Sequence, residues 1–184
     1  MMAGADGTPR TGRAPSAPFI LTAELPADLF ACANDLRRTH YPAERNQLAA
    51  HVTLFHALAP SLAEEIKRVL AGEVAAHAAV AARLSGVMDL GKGTALAIDS
   101  AAMLAMRDRI ADHFHGALSA QDQHRPRLHV TVQNKVTTQV ARALQSRLAA
   151  TFVPRDFHFT GLALYTYREG PWEASGRWSF RGRG

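Results

Sequence analysis

The sequence has a single cysteine, Cys32, so no internal disulfide can form. Its place in a helical pattern suggests a small core residue. No run approaches the ~18 apolar residues of a membrane span, and no membrane association is expected. Metal-binding patterns are missing as well: there is no H-E-x-x-H, cysteine cluster or carboxylate triad. Neither a metal nor another cofactor is expected. Gly91-Lys92-Gly93-Thr94 lacks the Walker spacing and fits a hairpin turn. The first residues, Met1 to Pro18, contain no continuous apolar core of a secretory signal. They are rich in Gly, Ala, Pro, Ser and Thr, and residues 1–18 read as a disordered tail. With the lone cysteine, this predicts a cytoplasmic protein.

What is present suits a folded domain. The chain has 184 residues, 47% of them hydrophobic, which favours one domain or two small lobes sharing a core. The formal charge is +5, which favours anionic partners by long-range attraction.

Two tetrads stand out, His51-Val52-Thr53-Leu54 and His129-Val130-Thr131-Val132. Side chains of an extended strand alternate between faces. Each tetrad therefore reads as a strand with an aliphatic face for a core and an imidazole-plus-hydroxyl face for something polar. Two such strands facing each other would make a cleft with two histidines and two threonines.

The histidines are 129 − 51 = 78 residues apart, and the same shift aligns more than the tetrads. Leu62, Ile66 and Leu70 fall on Val140, Leu144 and Leu148, the apolar stripes of two amphipathic helices. Ser61 and Glu64 suggest a capping box for the first, and Thr137 or Thr138 a cap for the second. Leu84–Met88 resembles Phe159–Ala163 at an offset of 75. Upstream, Leu29, Ala33 and Leu36 form one helical stripe, and Met106, Ile110 and Phe114 another. Strands are expected at Phe19–Leu25 and Thr94–Asp99, and a hairpin around Glu169-Gly170-Pro171. The last residues, Arg181 to Gly184, are expected to fray. Each half reads helix, tetrad strand, helix, then strand or hairpin, an order that suggests a duplication.

The paired tetrads, within the run from Pro42 to Leu58 for the first, resemble the signature of the 2H phosphoesterase superfamily, in its bacterial 2′-5′ RNA ligase-like branch. The resemblance covers most of residues 19–180. It implies an α+β fold of two similar lobes, mainly antiparallel sheets lining a central cleft with helices outside. One bilobal domain over 19–181 is expected, with lobes at about 19–93 and 94–181 and room for exchanged strands. The resemblance also implies His51 and His129 as catalytic acid and base and Thr53 and Thr131 as phosphate binders, acting on RNA ends or nucleotides that carry a 2′,3′-cyclic phosphate. By analogy His129 would activate water and His51 protonate the leaving oxygen, giving a 2′-phosphate. The reverse reaction would be a 2′-5′ ligation.

The chemistry fits those residue types. Imidazole titrates near neutrality, so one ring can take a proton from water and the other supply one to the leaving alkoxide. Threonine hydroxyls are neutral donors for the non-bridging phosphoryl oxygens. Around this set, Phe55 is placed by alternation on the face of Thr53, where it could stack on a base, and Gln133 is its counterpart. Arg127 would share the face of His129. Arg45 precedes the first tetrad and Lys135 follows the second; both could meet phosphate. Tyr165 could reach a nucleobase. His56 is expected to point with Val52 and Leu54, away from the cleft. A monomer is expected. Two other functions would also use an anion cleft: a non-catalytic RNA-binding module, and a 2H enzyme acting on a small cyclic phosphate metabolite.

Overall fold

The computed structural model describes residues 17–168 and 170–182. The expected tail therefore lies mostly outside the described residues, as does Glu169 of the C-terminal turn. Among the described residues, eight strands and four helices make two four-stranded antiparallel sheets with the helices packed on them. The elements run β1 (Phe19–Glu24), α1 (Ala27–His40), β2 (Val52–Leu58), α2 (Ala63–Ala76), β3 (Val80–Asp89), β4 (Thr94–Asp99), α3 (Ala101–His113), β5 (His129–Gln133), α4 (Thr138–Thr151), β6 (Arg155–Phe159), β7 (Gly161–Thr166) and β8 (Glu173–Ser179). The α+β architecture expected from the sequence is the one observed.

One sheet has the order β2-β1-β7-β8 and the other β5-β4-β3-β6. Each sheet thus takes strands from both halves of the sequence. β3 joins the strands of the second half, and β7 and β8 join those of the first. The exchange turns on β3 and β6, which pair antiparallel with Ala82 opposite Phe157. These two positions are 157 − 82 = 75 apart, the offset of the third repeated segment. Leu84 and Phe159, which open the two repeated segments, pair instead with Arg155 and Val80. The chain passes from one sheet to the other at Thr160. Its N–H donates to the Glu24 carbonyl at 2.9 Å, and its own carbonyl accepts from Phe180 N–H at 3.1 Å. Gly161 opens β7 against β8 so closely that a Cβ there would lie 2.3 Å from the Trp178 carbonyl oxygen.

An apolar cluster runs between the layers, from Leu21, Leu54 and Leu70 to Met103, Val130, Phe159 and Leu164. Local signals account for most helix boundaries. Pro26 precedes α1, and the Ser100 and Thr137 hydroxyls accept from the N–H of Met103 and Val140 to cap α3 and α4. Gly91, at φ 75°, turns β3 into β4.

Several local expectations fail for identifiable reasons. No capping box forms at Ser61, because a short 3₁₀ turn over Pro60–Leu62 precedes α2 and Leu62 takes the cap position. Cys32 is exposed, since α1 turns Leu29, Ala33 and Arg37 inward. Val140 is exposed too. Ala141 takes its place inward, small enough for its helix to approach Thr94, whose hydroxyl lies 3.4 Å from the Ala141 carbonyl. Arg181 and Gly182 are not loose: their N–H groups donate to the carbonyls of Val74 and His77, at the end of α2.

Candidate functional site

β2 and β5 are edge strands of different sheets, and they approach each other. His51, Thr53, His129 and Thr131 line one cleft between them, of about 450 Å³. Val52, Leu54, Val130 and Val132, the intervening residues, are buried.

The two histidines are held in the same way. His51 Nδ1 lies 2.8 Å from the Ala49 carbonyl oxygen, and His129 Nδ1 lies 2.8 Å from that of Arg127. A carbonyl has no proton to give, so each Nδ1 donates and each Nε2 is left free to exchange a proton. Burial, above all, holds His51 below the ordinary histidine value of 6.5. The Ala49 carbonyl opposes that shift, while neighbouring Arg37, His129 and His56 add to it.

The alternation ends just past each tetrad. Along β1–β2, Thr22 pairs with Thr53 but Leu21 pairs with Phe55, so Leu54 is an extra residue, a β-bulge. Along β4–β5, Ala95 pairs with Thr131 but Thr94 pairs with Gln133, so Val132 is the extra residue. Leu54 and Val132 are themselves 132 − 54 = 78 apart. Each bulge shifts the phase by one, and the next side chain turns inward. Phe55 is fully buried beneath the Arg107 guanidinium, 4.5 Å from its ring centre, and does not reach the cleft. Gln133 is also buried, its side-chain Oε1 accepting from the Thr94 hydroxyl at 3.3 Å. Neither can stack on or bond a base. The same shift brings His56, expected to point away, onto the cleft wall.

Of the other expected residues, Arg127 lines the cleft. Arg45 and Lys135 do not. They lie together in a neighbouring surface pocket that also holds Tyr41, Tyr167 and Trp172. Lys135 sits there in the left-handed region, at φ 59°. Tyr165 packs at 5.5 Å on Trp172 and faces a side pocket next to His51.

Four contributors escape a reading by local pattern. Trp172, in the loop before β8, tilts over His51 with ring centres 4.6 Å apart and borders both the cleft and the neighbouring basic pocket. An aromatic placed in a turn after Gly170-Pro171 was the available signal. Arg37 is buried on α1 and donates to the Thr131 carbonyl at 2.8 Å and to Asn46 Oδ1 at 2.9 Å. Asn34 Oδ1 accepts from Ala50 N–H at 2.8 Å. Helix α1 thus fastens both the segment that ends at His51 and the backbone of the opposite strand. The fourth contributor, Asp122, is buried beside His56. No group of three or more potential metal ligands occurs among the described residues, nor any helix long and apolar enough to cross a membrane.

Chemically, the cleft offers the imidazoles of His51 and His129 with free Nε2 atoms, the hydroxyls of Thr53 and Thr131, two further histidines, His56 and His124, and the cations Arg125 and Arg127. The family model described as the 2′-5′ RNA ligase superfamily matches residues 25–171. None of the curated proteins matches in sequence. Among solved structures, TT0787 of Thermus thermophilus is similar, with a TM-score of 0.62 at 15% identity, covering 91% of this chain and 100% of that one. LigT of E. coli, solved with 3′-AMP, has a TM-score of 0.58 at 16% identity, covering 90% and 98%. A structure described as a phosphoesterase has a TM-score of 0.57 at 16% identity, with coverages of 90% and 98%. At these identities the likeness is one of fold.

Proposed function

The chain belongs to the 2′-5′ RNA ligase superfamily of 2H phosphoesterases, and from that membership we propose that it hydrolyses RNA or nucleotide 2′,3′-cyclic phosphates to 2′-phosphates. His51 and His129 exchange the protons, and Thr53 and Thr131 hold the phosphoryl oxygens. The observation that carries the reading is the matching tether of the two imidazoles, each with Nδ1 on a carbonyl two residues back and Nε2 free beside the same cleft.

In the hydrolytic direction a water oxygen attacks phosphorus while the neutral imidazole takes its proton. The bond from phosphorus to the 3′ oxygen breaks, and the protonated imidazole delivers a proton to that oxygen. The product carries a 2′-phosphate and a 3′-hydroxyl. The threonine hydroxyls donate to the non-bridging oxygens as their charge redistributes. Burial favours the neutral form of His51, which is the form a base needs. This counts against the acid role that the resemblance suggests for His51, and we assign it the base. With a 5′-hydroxyl strand in place of water, the same groups act in the same direction: the 5′ oxygen attacks phosphorus, the 3′ oxygen leaves protonated, and a 2′-5′ linkage forms.

The test is turnover of a 2′,3′-cyclic mononucleotide by the purified full chain in chelator, read as release of a 2′-phosphate. His51→Ala and His129→Ala should each lower the rate at least about 10²-fold with an unchanged circular dichroism spectrum. Equal turnover by either variant would reject its role. Binding of RNA without turnover would instead favour a non-catalytic module. Turnover of mononucleotides alone would favour a small-metabolite enzyme.

A further inference from the structure

The two sides of the cleft repeat each other only as far as the bulges. Beyond them the halves differ: His56 has Asn134 as its counterpart at the 78-residue spacing. Asn134 turns its side chain back to accept from Lys135 N–H at 2.7 Å. His56 does the opposite. The Leu54 bulge brings it to the cleft wall, its side chain is 45% exposed, and a carboxylate holds it from behind.

That carboxylate is Asp122, whose side chain is 1% exposed. Its Oδ1 accepts from His56 N–H at 2.8 Å and lies 3.3 Å from His56 Nδ1. Its Oδ2 accepts from Ala57 N–H at 2.8 Å and from the Ser119 hydroxyl at 2.9 Å. With Nδ1 turned to the carboxylate, Nε2 is the nitrogen left for the cleft. The segment carrying Asp122 is fastened too. Buried Arg107 donates to the carbonyls of Asp122 and His124 while stacking on Phe55. Arg125 and Arg127 follow on the same segment and line the cleft, Arg125 with one edge paired to Asp108 at 2.8 Å.

We propose that His56, positioned by Asp122 and flanked by Arg127, forms a second anion subsite that holds a phosphate other than the one being cleaved. Its ligand is a phosphate one linkage away from the cyclic phosphate: the preceding phosphodiester of an oligonucleotide or the 5′-phosphate of a mononucleotide. The proposal rests on the phosphodiesterase reading and deepens it. His56 lies three residues beyond Thr53, roughly 10 Å of strand, so a phosphate seated between His51 and His129 leaves its Nε2 unused. The subsite also gives the cleft a direction. Two tetrads alone would admit a substrate in either of two orientations related by the repeat. A phosphate site present in one half selects one of them, and with it which histidine faces the water.

The experiment compares three substrates: a nucleoside 2′,3′-cyclic phosphate, the same compound with a 5′-phosphate, and a dinucleotide ending in a 2′,3′-cyclic phosphate. The second phosphate should raise kcat/KM by at least about ten-fold, the scale of a hydrogen bond to a charged group. His56→Ala should cut that ratio toward one, and His56→Gln, which keeps a donor, should recover part of it. An advantage for the dinucleotide alone identifies the ligand as the phosphodiester, and a shared advantage identifies any second phosphate. Binding of a 3′-phosphorylated deoxydinucleotide against its mononucleotide, by calorimetry, gives the same ratio without turnover. If no substrate is cleaved but His56→Ala erases the binding preference, the phosphodiesterase reading fails and the subsite stands. If native protein shows no preference in either assay, or His56→Ala keeps it, the subsite is overturned.

Discussion

What one imidazole nitrogen touches decides which nitrogen is left to exchange a proton. In His51 and His129 that partner is a backbone carbonyl, which permits one neutral tautomer and leaves Nε2 free. Burial also depresses the pKa of His51. With His51 as the proposed base, the acid limb of kcat/KM for a cyclic mononucleotide should lie below pH 6.5, where His51 takes up a proton. A limb above pH 6.5 would remove His51 from the base role. The four cleft side chains were legible from residue type and alternation alone. Trp172 and Arg37 were not, because a ring tilted over His51 and a guanidinium donating to the Thr131 carbonyl depend on segments far away in sequence.

At the scale of the element, the bulges decide more than the strands do. Period-two reading holds through each tetrad and breaks at Leu54 and Val132, which is why Phe55 and Gln133 face the core and His56 faces the cleft. A bulge is a property of a pair of strands, and one strand's sequence does not announce it. The entry to β7 is equally constrained. Gly161→Ala would set a Cβ against the Trp178 carbonyl oxygen, at the point where the chain changes sheets. It should cost about 1–3 kcal/mol in denaturant unfolding. Gly72→Ala, in the middle of α2 with open space around it, should stabilise by up to about 1 kcal/mol. Similar midpoints for the two variants would show that the crossover is not tightly packed.

For the whole molecule, the buried carboxylate of Asp122 joins the two halves of the chain, since it accepts from β2 while sitting in the segment before β5. Burial pushes its pKa up, but hydrogen bonds from the His56 side chain, from the backbone of His56 and Ala57, and from Ser119 outweigh it and hold the group at about 2. The folded value lies below the unfolded one of 3.8. Its stabilisation is therefore complete above about pH 5 and is lost as the pH falls through 3.8 towards 2. The amount is about 2 kcal/mol. Urea unfolding between about pH 5 and 2 should show this loss in the native protein and not in Asp122→Asn, and parallel curves would disprove the linkage. The exchange of strands between sheets belongs to this scale as well. The repeat spacing suggested two halves, but β3 and β6 pair across them, so neither sheet is built from one half alone.

From the sequence alone came the helices, most strands, the aliphatic and polar faces of both tetrads, and the chemistry those four side chains can perform. All of these follow from short-range periodicity and from the intrinsic properties of imidazole and hydroxyl groups. Only the tertiary structure decided that β2 and β5 share a cleft, where the register slips, and which buried polar groups hold the site. A buried guanidinium or carboxylate must find its partners wherever the fold supplies them, as Arg37 does 94 residues away at Thr131 and Asp122 does 66 residues away at His56.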